Sequence, residues 1–480
     1  MRAFLLSTML LAGLTAMTAK DIYGTVHSGS EPLAGVTVSD GYNCTLTDAD
    51  GIFKISVNPD ANYVHVSTPA GYLPPVDSLN HPLFYLPIEE SQSYYDFNLI
   101  KNPRDDRRHA FMTQADIQVV AEEELEEYDR QVADVVEYVK TLGDIDVFGL
   151  DCGDIVGDHP ELYPSSLKHR AALGFPVYYV MGNHDEQYWG RTHETSQKRF
   201  EDHFGPSNYS FNRGNVHYIA VDNCFYIGRD YFYMGYIDER TFRWLEQDLA
   251  NVPAGTNVVM FMHIPLRDQV EQVPFQYNGR RVSEETVNAA HLIELLKPYN
   301  THFITGHQHW NKNLEIADNL YEHNTAAACG MWWQTPVCCD GTPRGYGMYT
   351  VDGNNFDWIF KSTGFDPSYQ MRVYEPGVCS DAKEYVVANI WNADKGWKIE
   401  WLEDGKVMGE MEQYTGMDPY AVSLVSDRSK LKYSWTCALP TEHMFRAKPV
   451  NPEAKITVRA TDRAGRVYES QATSLSNLTE

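Results

Sequence analysis

The 480-residue chain contains 43% hydrophobic and 13% aromatic residues, enough to build packed cores in more than one domain. This composition excludes a largely disordered chain. The chain has 39 Lys and Arg against 66 Asp and Glu, a net charge of −27, so we expect no nucleic-acid partner and no anionic membrane surface.

The first 19 residues have the layout of a secretory signal peptide. Met1 and Arg2 precede an apolar stretch at 3–17, and small residues follow it. A retained membrane anchor needs about 20 apolar residues, so this stretch is too short. We expect residues 1–19 to be removed on export to the periplasm or outside the cell. No later segment is apolar enough to be a transmembrane span.

Residues 20–102 predict a small β-sandwich. Their β-rich segments are 22–26, 35–39 and 52–57. Asp40-Gly41 and Asp50-Gly51 lie between these segments and are strong hairpin turns. The turn motifs resemble those of carboxypeptidase-regulatory-like modules, which implies a structural role and no catalysis.

Residues 105–362 predict an α/β domain, because apolar runs alternate with helical patterns. The runs are 110–114, 147–150, 177–181, 216–221, 258–262 and 302–305, and the helical candidates include 122–142, 240–249 and 284–296. From 365 to 480 the strand pattern returns, at 384–391, 397–402 and 454–460. We interpret this last part as a second all-β sandwich.

Five short polar motifs follow apolar runs of the middle domain. They are Asp116-Ile117-Gln118, Gly153-Asp154-Ile155-Val156-Gly157-Asp158, Gly182-Asn183-His184-Asp185, His263-Ile264-Pro265 and Gly306-His307-Gln308-His309. The carboxyl ends of strands lie along one edge of an open α/β sheet, so these motifs should form one cluster. Its carboxylates, amides and imidazoles, without a thiolate, suit first-row divalent metals of intermediate hardness rather than a Cys-rich structural zinc site.

The ordered motifs resemble those of the calcineurin-like metallophosphoesterase family. The resemblance implies a four-layer αββα core with two divalent ions (Mn, Fe, Zn, Mg or Ca). A bridging hydroxide would attack a phosphomonoester or phosphodiester in line. By this resemblance Asp154 bridges both ions, and the other ligands are Asp116, Gln118 and His309 at one site and Asn183, His263 and His307 at the other.

The same resemblance assigns catalysis to His184. This residue would protonate the leaving-group oxygen or stabilise the transition state, held in place by Asp185. Asp158 fits a helix cap or a partner behind the ligands, and His159 fits an exposed loop residue.

Two positions depart from family patterns. The first motif usually reads Asp-x-His, and Gln118 replaces the imidazole with a neutral amide oxygen. We therefore expect this site to bind zinc more weakly and to tolerate manganese, magnesium or calcium. Purple acid phosphatases carry Tyr three residues after the bridging Asp, and Gly157 at that place excludes that subfamily.

The order of a β-domain, the core and a second β-domain resembles a secreted bacterial three-domain architecture. The stretch 329–346 also resembles that group. Within it, Trp332 and Trp333 either line a substrate pocket or pack internally. Cys338-Cys339 has no assigned disulfide partner.

Two functions of different classes remain. The first is a hydrolase acting on a small phosphorylated substrate. The second is a catalytically silent surface or binding protein stabilised by metal. Only the Gln118 replacement supports this second function, and the presence of His184, which has no role in metal binding, argues against it. A carbohydrate-directed enzyme using paired carboxylates fits poorly, because the carboxylates lie within metal-ligand motifs. The choice between monoester and diester, and the oligomeric state, are left open.

Overall fold

The computed structural model describes residues 20–228, 232–267, 281–451 and 453–478. The predicted signal peptide at 1–19 lies outside the described residues. Within the described ranges, no helix has both the length and the apolar character needed to cross a membrane.

Residues 20–101, all of them described, form strands and no helix. The strands are β1 Lys20–Ser28, β2 Glu31–Pro32, β3 Thr37–Ser39, β4 Cys44–Leu46, β5 Ile52–Val57, β6 Tyr63–Val66, β7 Tyr72–Leu73, β8 Tyr85–Pro87, β9 Tyr94–Asn98 and β10 Ile100–Lys101. Strand β1 pairs with β2, β5 and β9, and a second sheet has the order β4-β3-β6-β8. Ile22 and Phe53 from the first sheet share a core with Val38 and Val64 from the second, which forms the predicted sandwich.

Residues 108–362 contain the two central sheets. The strands are β11 Arg108–Gln114, β12 Asp146–Asp151, β13 Val177–Tyr179, β14 Tyr209–Arg213, β15 Val216–Ala220, β16 Cys224–Gly228, β17 Phe232–Gly235, β18 Asn257–Phe261, β19 Asn300–Thr305, β20 Lys312–Ala317, β21 Leu320–Asn324, β22 Gly345–Asp352 and β23 Asn355–Ser362. The helices are α1 Glu122–Thr141, α2 Tyr163–Ala171, α3 His193–Phe204, α4 Glu239–Leu249, α5 Arg281–Glu284 and α6 Ala289–Leu296. Short 3₁₀ turns lie at Pro160–Leu162 and Asn183–Asp185.

The central sheets have the orders β13-β12-β11-β22-β23 and β14-β15-β18-β19-β21-β20. Side chains that alternate along β11 show how the two sheets pack against each other and against the helices. Phe111 lies between the two sheets with Tyr218, whereas Met112 packs with Leu125 of α1. On the second sheet, Met260 packs with Leu245 of α4. The predicted four-layer αββα core is confirmed.

The helix predicted at 284–296 starts later, as α6 at Ala289, and a separate short helix, α5, ends at Glu284. Thr286 lies between them and interrupts the helical hydrogen bonding. Its N–H donates to Pro265 O at 2.8 Å, and its Oγ1 accepts from Asn223 Nδ2 at 2.9 Å. These tertiary contacts take the place of helical bonds, which sequence periodicity does not reveal.

The C-terminal part contains two four-stranded sheets and one short helix. The strands are β24 Arg372–Tyr374, β25 Val386–Asn389, β26 Lys398–Glu403, β27 Lys406–Glu410, β28 Glu412–Met417, β29 Pro440–Ala447, β30 Ile456–Thr461 and β31 Val467–Gln471, with α7 at Pro419–Val425 and 3₁₀ turns at Arg428–Lys430 and Leu475–Asn477. The all-β prediction was wrong at α7. Asp418 caps this helix by accepting from Ala421 N at 2.8 Å, and Pro419 follows at a position that favours helix initiation.

Asp340 joins the C-terminal part to the core. Its buried carboxylate accepts hydrogen bonds from Asn311 N and His443 Nε2, both at 2.9 Å, and from Thr342. Asn311 follows the last metal-ligand motif, whereas His443 belongs to β29. The network therefore connects the two domains directly behind the predicted site.

Replacing Asp340 with alanine should destabilise this junction. We expect a loss of about 3–5 kcal/mol, because buried donors on both domains lose their partner. Thermal unfolding followed by circular dichroism should show a midpoint several degrees lower. Glu384→Ala removes an exposed carboxylate that pairs with Lys448 and should leave the midpoint unchanged. An unchanged midpoint in Asp340→Ala would show that the junction does not limit stability.

Candidate metal centre

The five polar motifs meet at one edge of the two central sheets. Strands β11, β12 and β13 are parallel to one another, as are β18 and β19. Each motif follows the carboxyl end of one of these strands. Main-chain bonds connect neighbouring motifs, from Asp116 N to Gly153 O at 3.0 Å and from Gly306 N to His263 O at 2.9 Å. The expected convergence therefore occurs.

Asp154 lies at the centre of the cluster. Its Oδ2 is 3.2 Å from His263 Nε2, and that nitrogen is 3.1 Å from Asn183 Oδ1 and 3.2 Å from His307 Nδ1. Ligand atoms of Asp154, His263 and His307 all lie within 4.8 Å of one another. Such spacing allows several donor atoms to contact a single cation.

Main-chain carbonyls fix the orientation of the three imidazoles. His263 Nδ1 donates to Cys152 O, and His309 Nδ1 donates to Gly330 O, both at 2.8 Å. His307 is turned the other way, and its Nε2 donates to Ser283 O at 2.8 Å. Each ring therefore directs its second nitrogen into the cluster.

The first predicted site brings together Asp116, Gln118 and His309. Asp116 Oδ2 accepts from His307 N at 2.8 Å, while Oδ1 lies 3.6 Å from His309 Nε2. Gln118 Nε2 donates to Asp154 Oδ2 at 2.6 Å. Within the described part of the chain, Asp116 Oδ1 and Gln118 Oε1 are buried without a hydrogen-bond partner. Rotating the Gln118 amide by 180° would present its oxygen to the cluster.

The unpartnered oxygens of Asp116 and Gln118 indicate that the residues present fit a pair of metal ions. Burying polar oxygen atoms without partners is costly, and a cation would satisfy them. Burial lowers the pKa of His307 to about 3 and that of His309 to about 4, so both rings are neutral at pH 7. Burial also raises the pKa of Asp116 to about 7. Burial acts to raise the pKa of Asp154, but the charges of His263 and His184 outweigh it and lower that pKa. The donor set fits divalent cations.

The backbone of the motifs adopts conformations that non-glycine residues rarely take. Five of the seven predicted ligands have positive φ, and they are Asp116 (53°), Gln118 (42°), Asp154 (55°), His307 (74°) and His309 (53°). Gly182 lets the backbone of the third motif pack directly against Asp154, because a Cβ at this position would lie 2.1 Å from Asp154 N. Strain concentrated in this way is typical of a functional site.

His184 lies beside Asp154 but is held by a different carboxylate from the one predicted. Its N–H donates to Asp154 Oδ1 at 2.8 Å, and its Nδ1 pairs with Asp158 Oδ1 at 2.9 Å. Burial acts to lower the pKa of His184, but Asp154 and Asp158 outweigh it and raise the pKa to about 9. Nε2 is therefore the ring atom available to a substrate, and the ring carries a proton.

The prediction that Asp185 holds His184 was wrong. Asp185 is buried and accepts hydrogen bonds from Gly182 N at 3.0 Å, Ile155 N at 3.2 Å and Tyr163 OH at 3.0 Å. It therefore joins the second and third motifs. Asp158 takes the orienting position because its φ of 65° turns the chain back toward His184.

Asp158→Asn should lower kcat by about 10- to 100-fold, because the neutral amide orients the His184 ring less well and does not stabilise its positive charge. Steady-state kinetics on an aryl phosphate, together with metal analysis of the same sample, would measure this. Glu161→Gln is the matched control, because Glu161 accepts from the exposed His159 in the same way, at 2.8 Å. Equal activity in both variants would show that Asp158 does not orient His184 for catalysis.

Asn223, which follows β15, supports the site although it is not among the predicted site residues. Its side chain bonds the loop after His263, donating to Ile264 O at 2.6 Å and accepting from Ile264 N at 3.0 Å. It also donates to Thr286. Its place at the end of β15 was the available signal, because an amide there can reach the neighbouring motif.

Three family models match the chain in order. Residues 20–102 match "N terminal of Calcineurin-like phosphoesterase", 111–311 match "Calcineurin-like phosphoesterase" and 322–468 match "C terminal of Calcineurin-like phosphoesterase". The first match covers the segment whose turn motifs resemble carboxypeptidase-regulatory-like modules. The three-domain layout agrees with these matches, although the boundaries at 102–105 and 362–365 stay predictions. A comparison with curated proteins gave no match.

Solved structures are similar at low sequence identity. A dimetal phosphatase from Danio rerio is 13% identical, with a TM-score of 0.39, over 53% of this chain and 96% of that one. The purple acid phosphatase PPD1 from yellow lupin (Lupinus luteus) is 10% identical, with a TM-score of 0.39, over 72% of this chain and 67% of that one. A 5′-nucleotidase from Candida albicans is 12% identical, with a TM-score of 0.32, over 52% of this chain and 50% of that one.

Proposed function

Because this chain belongs to the calcineurin-like phosphoesterase family and is a phosphoesterase, we propose that it hydrolyses small phosphomonoesters or phosphodiesters at a pair of divalent cations. The family binds two metal ions and acts on small phosphoesters. With a net charge of −27, the protein as a whole repels anionic substrates, so local positive charge has to draw them in.

One observation carries this proposal. Asp116 Oδ1, buried without a hydrogen-bond partner among the described residues, lies 3.6 Å from His309 Nε2. The Gln118 amide contacts Asp154 through Nε2, and its buried Oε1 is likewise unpartnered in that part of the chain. A structural polar network would satisfy its own atoms. Buried oxygen atoms left unsatisfied beside imidazole nitrogens indicate cation binding.

The ligand roles are those that the family resemblance assigns, and the proximity of the side chains supports them. Asp154 would bridge the two cations. Asp116, Gln118 and His309 would hold one, and Asn183, His263 and His307 would hold the other. When bound, the cations supply charge neutralisation for the phosphoryl oxygens and the activation of water for in-line attack.

His184 would act on the leaving group. Its Nε2 carries a proton that it can transfer to the departing alcohol oxygen, and Asp158 would orient the ring and stabilise its charge. Two bound cations would offset the charge of Asp154 and bring the pKa of His184 closer to neutrality. A proton donor is most effective when its pKa lies near the working pH.

The proposal is tested by loading the metal-free protein with defined ions and assaying a panel of monoesters and diesters. We expect turnover of at least one class that depends on two bound ions per chain. The competing function, a silent binding protein stabilised by metal, predicts two bound ions, a raised melting temperature and no turnover on any ester.

Gln118 should affect the choice of metal. An amide oxygen is a harder and weaker ligand for zinc than an imidazole, so manganese, magnesium or calcium should support activity at the first site. Titration of the metal-free protein with each ion would measure this. Tightest activation by zinc at both sites would contradict it.

We also propose that the chain is exported to the periplasm or outside the cell and that residues 1–19 are removed. The charged start and the short apolar stretch at 3–17 support this, and the first family match begins at residue 20. Mass spectrometry of the N-terminal peptide after expression in the native host would test it. An intact Met1 in the cytosolic fraction would contradict export.

A further inference from the structure

Three aromatic side chains, Trp332, Tyr433 and Trp435, form a continuous surface next to the metal centre, which we name the aromatic wall. We propose that the aromatic wall binds a planar aromatic ring in the alcohol part of the phosphoester. This inference rests on the proposed hydrolase function and names the class of substrate for that site.

The aromatic wall begins at a predicted metal ligand. The Trp332 ring stacks on His309 with the ring centroids 4.5 Å apart and an interplanar angle of 28°. Trp435 meets Trp332 edge to face at 6.3 Å. Tyr433 stacks on Trp435 at 4.7 Å with an angle of 10°. The three rings therefore form a continuous series that starts at the predicted ligand His309.

The wall reaches solvent at its outer end. Trp435 is 55% exposed, while Trp332 and Tyr433 are half-buried. Among the described residues only one other tryptophan is exposed, and this is Trp189 at 60%, five residues after His184. Single exposed aromatics are ordinary, but a contiguous set that ends at a metal ligand indicates a ligand-binding surface.

The backbone is strained where it positions Trp332. Trp332 and Trp333 have φ of 54° and 60°, in the left-handed region that bulky residues avoid. Trp333 anchors the turn, because its Nε1 donates to Ile117 O at 2.7 Å and Arg344 lies over its ring at 4.8 Å. Trp333 packs internally through these contacts, whereas Trp332 stacks on His309.

The outer rings are tethered to the same turn. Gln334 Oε1 accepts from Lys432 N at 2.5 Å, and Gln334 Nε2 donates to Thr436 Oγ1 at 2.8 Å. These two bonds flank Tyr433 and Trp435. The wall is therefore held in place before a ligand arrives, which lowers the entropic cost of binding.

The chemistry of the wall favours a flat aromatic ligand. Indole and phenol faces stack on other π-systems with a preference beyond apolar burial alone. Lys432 lies over the outer part of the wall, 5.0 Å from the Tyr433 centroid, where it also attracts an electron-rich ring. A saturated ring of the same size would gain apolar contact but not this stacking.

The test compares two esters that differ only in the ring. 2-Phenylethyl phosphate and 2-cyclohexylethyl phosphate have the same type of primary alcohol as leaving group, so their chemical steps are matched. We expect the wild type to favour the phenyl ester by about fivefold in kcat/KM. Trp435→Leu should bring the ratio close to one, and Trp435→Phe should keep most of the preference. Tyr94→Leu removes a 56% exposed aromatic in the N-terminal sandwich and should leave the ratio unchanged.

The outcomes separate failure of this inference from failure of the proposed function. Hydrolysis of neither ester, nor of any other in the panel, would reject the proposed function. Equal hydrolysis of both, or a preference that survives Trp435→Leu, would overturn the inference and leave the hydrolase intact. A further pair, a nucleoside 5′-monophosphate and ribose 5-phosphate, identifies the source of the ring. A preference for the nucleotide that Trp435→Leu abolishes assigns the ring to a nucleobase, and a preference confined to the phenyl pair assigns it to an aryl alcohol.

Discussion

Replacing His184 with alanine is expected to lower kcat by about 10²- to 10⁴-fold while both metal ions remain bound. The imidazole is placed to donate a proton, and none of the predicted coordination depends on its ring. Its main-chain N–H, which bonds Asp154, is retained in the variant. Single-turnover kinetics and metal analysis by mass spectrometry on the same sample would separate the chemical step from metal loss.

His159→Ala is the matched control for this variant. His159 lies nearby on the surface and pairs with Glu161, so its loss should leave turnover unchanged. If His184→Ala retained full activity, the proton donor would be a different group. If it lost its metal ions, His184 would have to be reassigned as a ligand.

The second large effect is expected for Asp154→Asn. The substitution preserves the shape and size of the side chain but removes the negative charge that two cations would share. We expect metal content to fall from two ions to at most one per chain and kcat to fall by about 10³-fold or more. Isothermal titration of the metal-free variant with manganese would give the number of sites directly.

Asp144→Asn removes an exposed carboxylate that bonds Arg104, and it should bind two ions as the wild type does. Two ions bound by Asp154→Asn with unchanged affinity would show that this residue does not bridge. Loss of activity with both ions retained would instead assign Asp154 to substrate orientation.

Most of the central fold was predictable from the sequence because burial and periodicity agree there. The run at 110–114 lies within β11, and the pattern at 122–142 differs from α1 by one residue. The polar residues that follow these strands could be assigned to one edge because parallel strands share a direction. That reasoning needs no side-chain geometry, and it brought the predicted metal ligands together.

The parts that were not predictable depend on tertiary contacts. Asp158 contacts His184 only because its backbone takes a left-handed conformation, which composition does not signal for an aspartate. The break between α5 and α6 at Thr286 is likewise caused by bonds to distant loops. By contrast, α7 carried a readable signal, since Asp418-Pro419 is a favourable helix start.

The proximity of the C-terminal part to Trp332 was also hidden in the sequence. Tyr433 and Trp435 follow the last metal-ligand motif by more than a hundred residues, and no short motif marks them. Gln334 connects their segment to the turn at Trp332. Such long-range proximity follows from how two domains pack, which residue patterns along one chain do not encode.

The position of β11 has a consequence for how this protein is made. This strand lies inside its sheet, between β12 and β22, with Thr113 opposite Gly347. Ribosomes add about 5–20 residues per second, so roughly 10–50 s separate the synthesis of β11 from that of its partner β22. During that interval one edge of β11 has open backbone hydrogen-bonding groups, which can recruit strands from other nascent chains. Truncated chains that end before residue 345 should therefore aggregate, and a holding chaperone should raise the yield of the full-length protein.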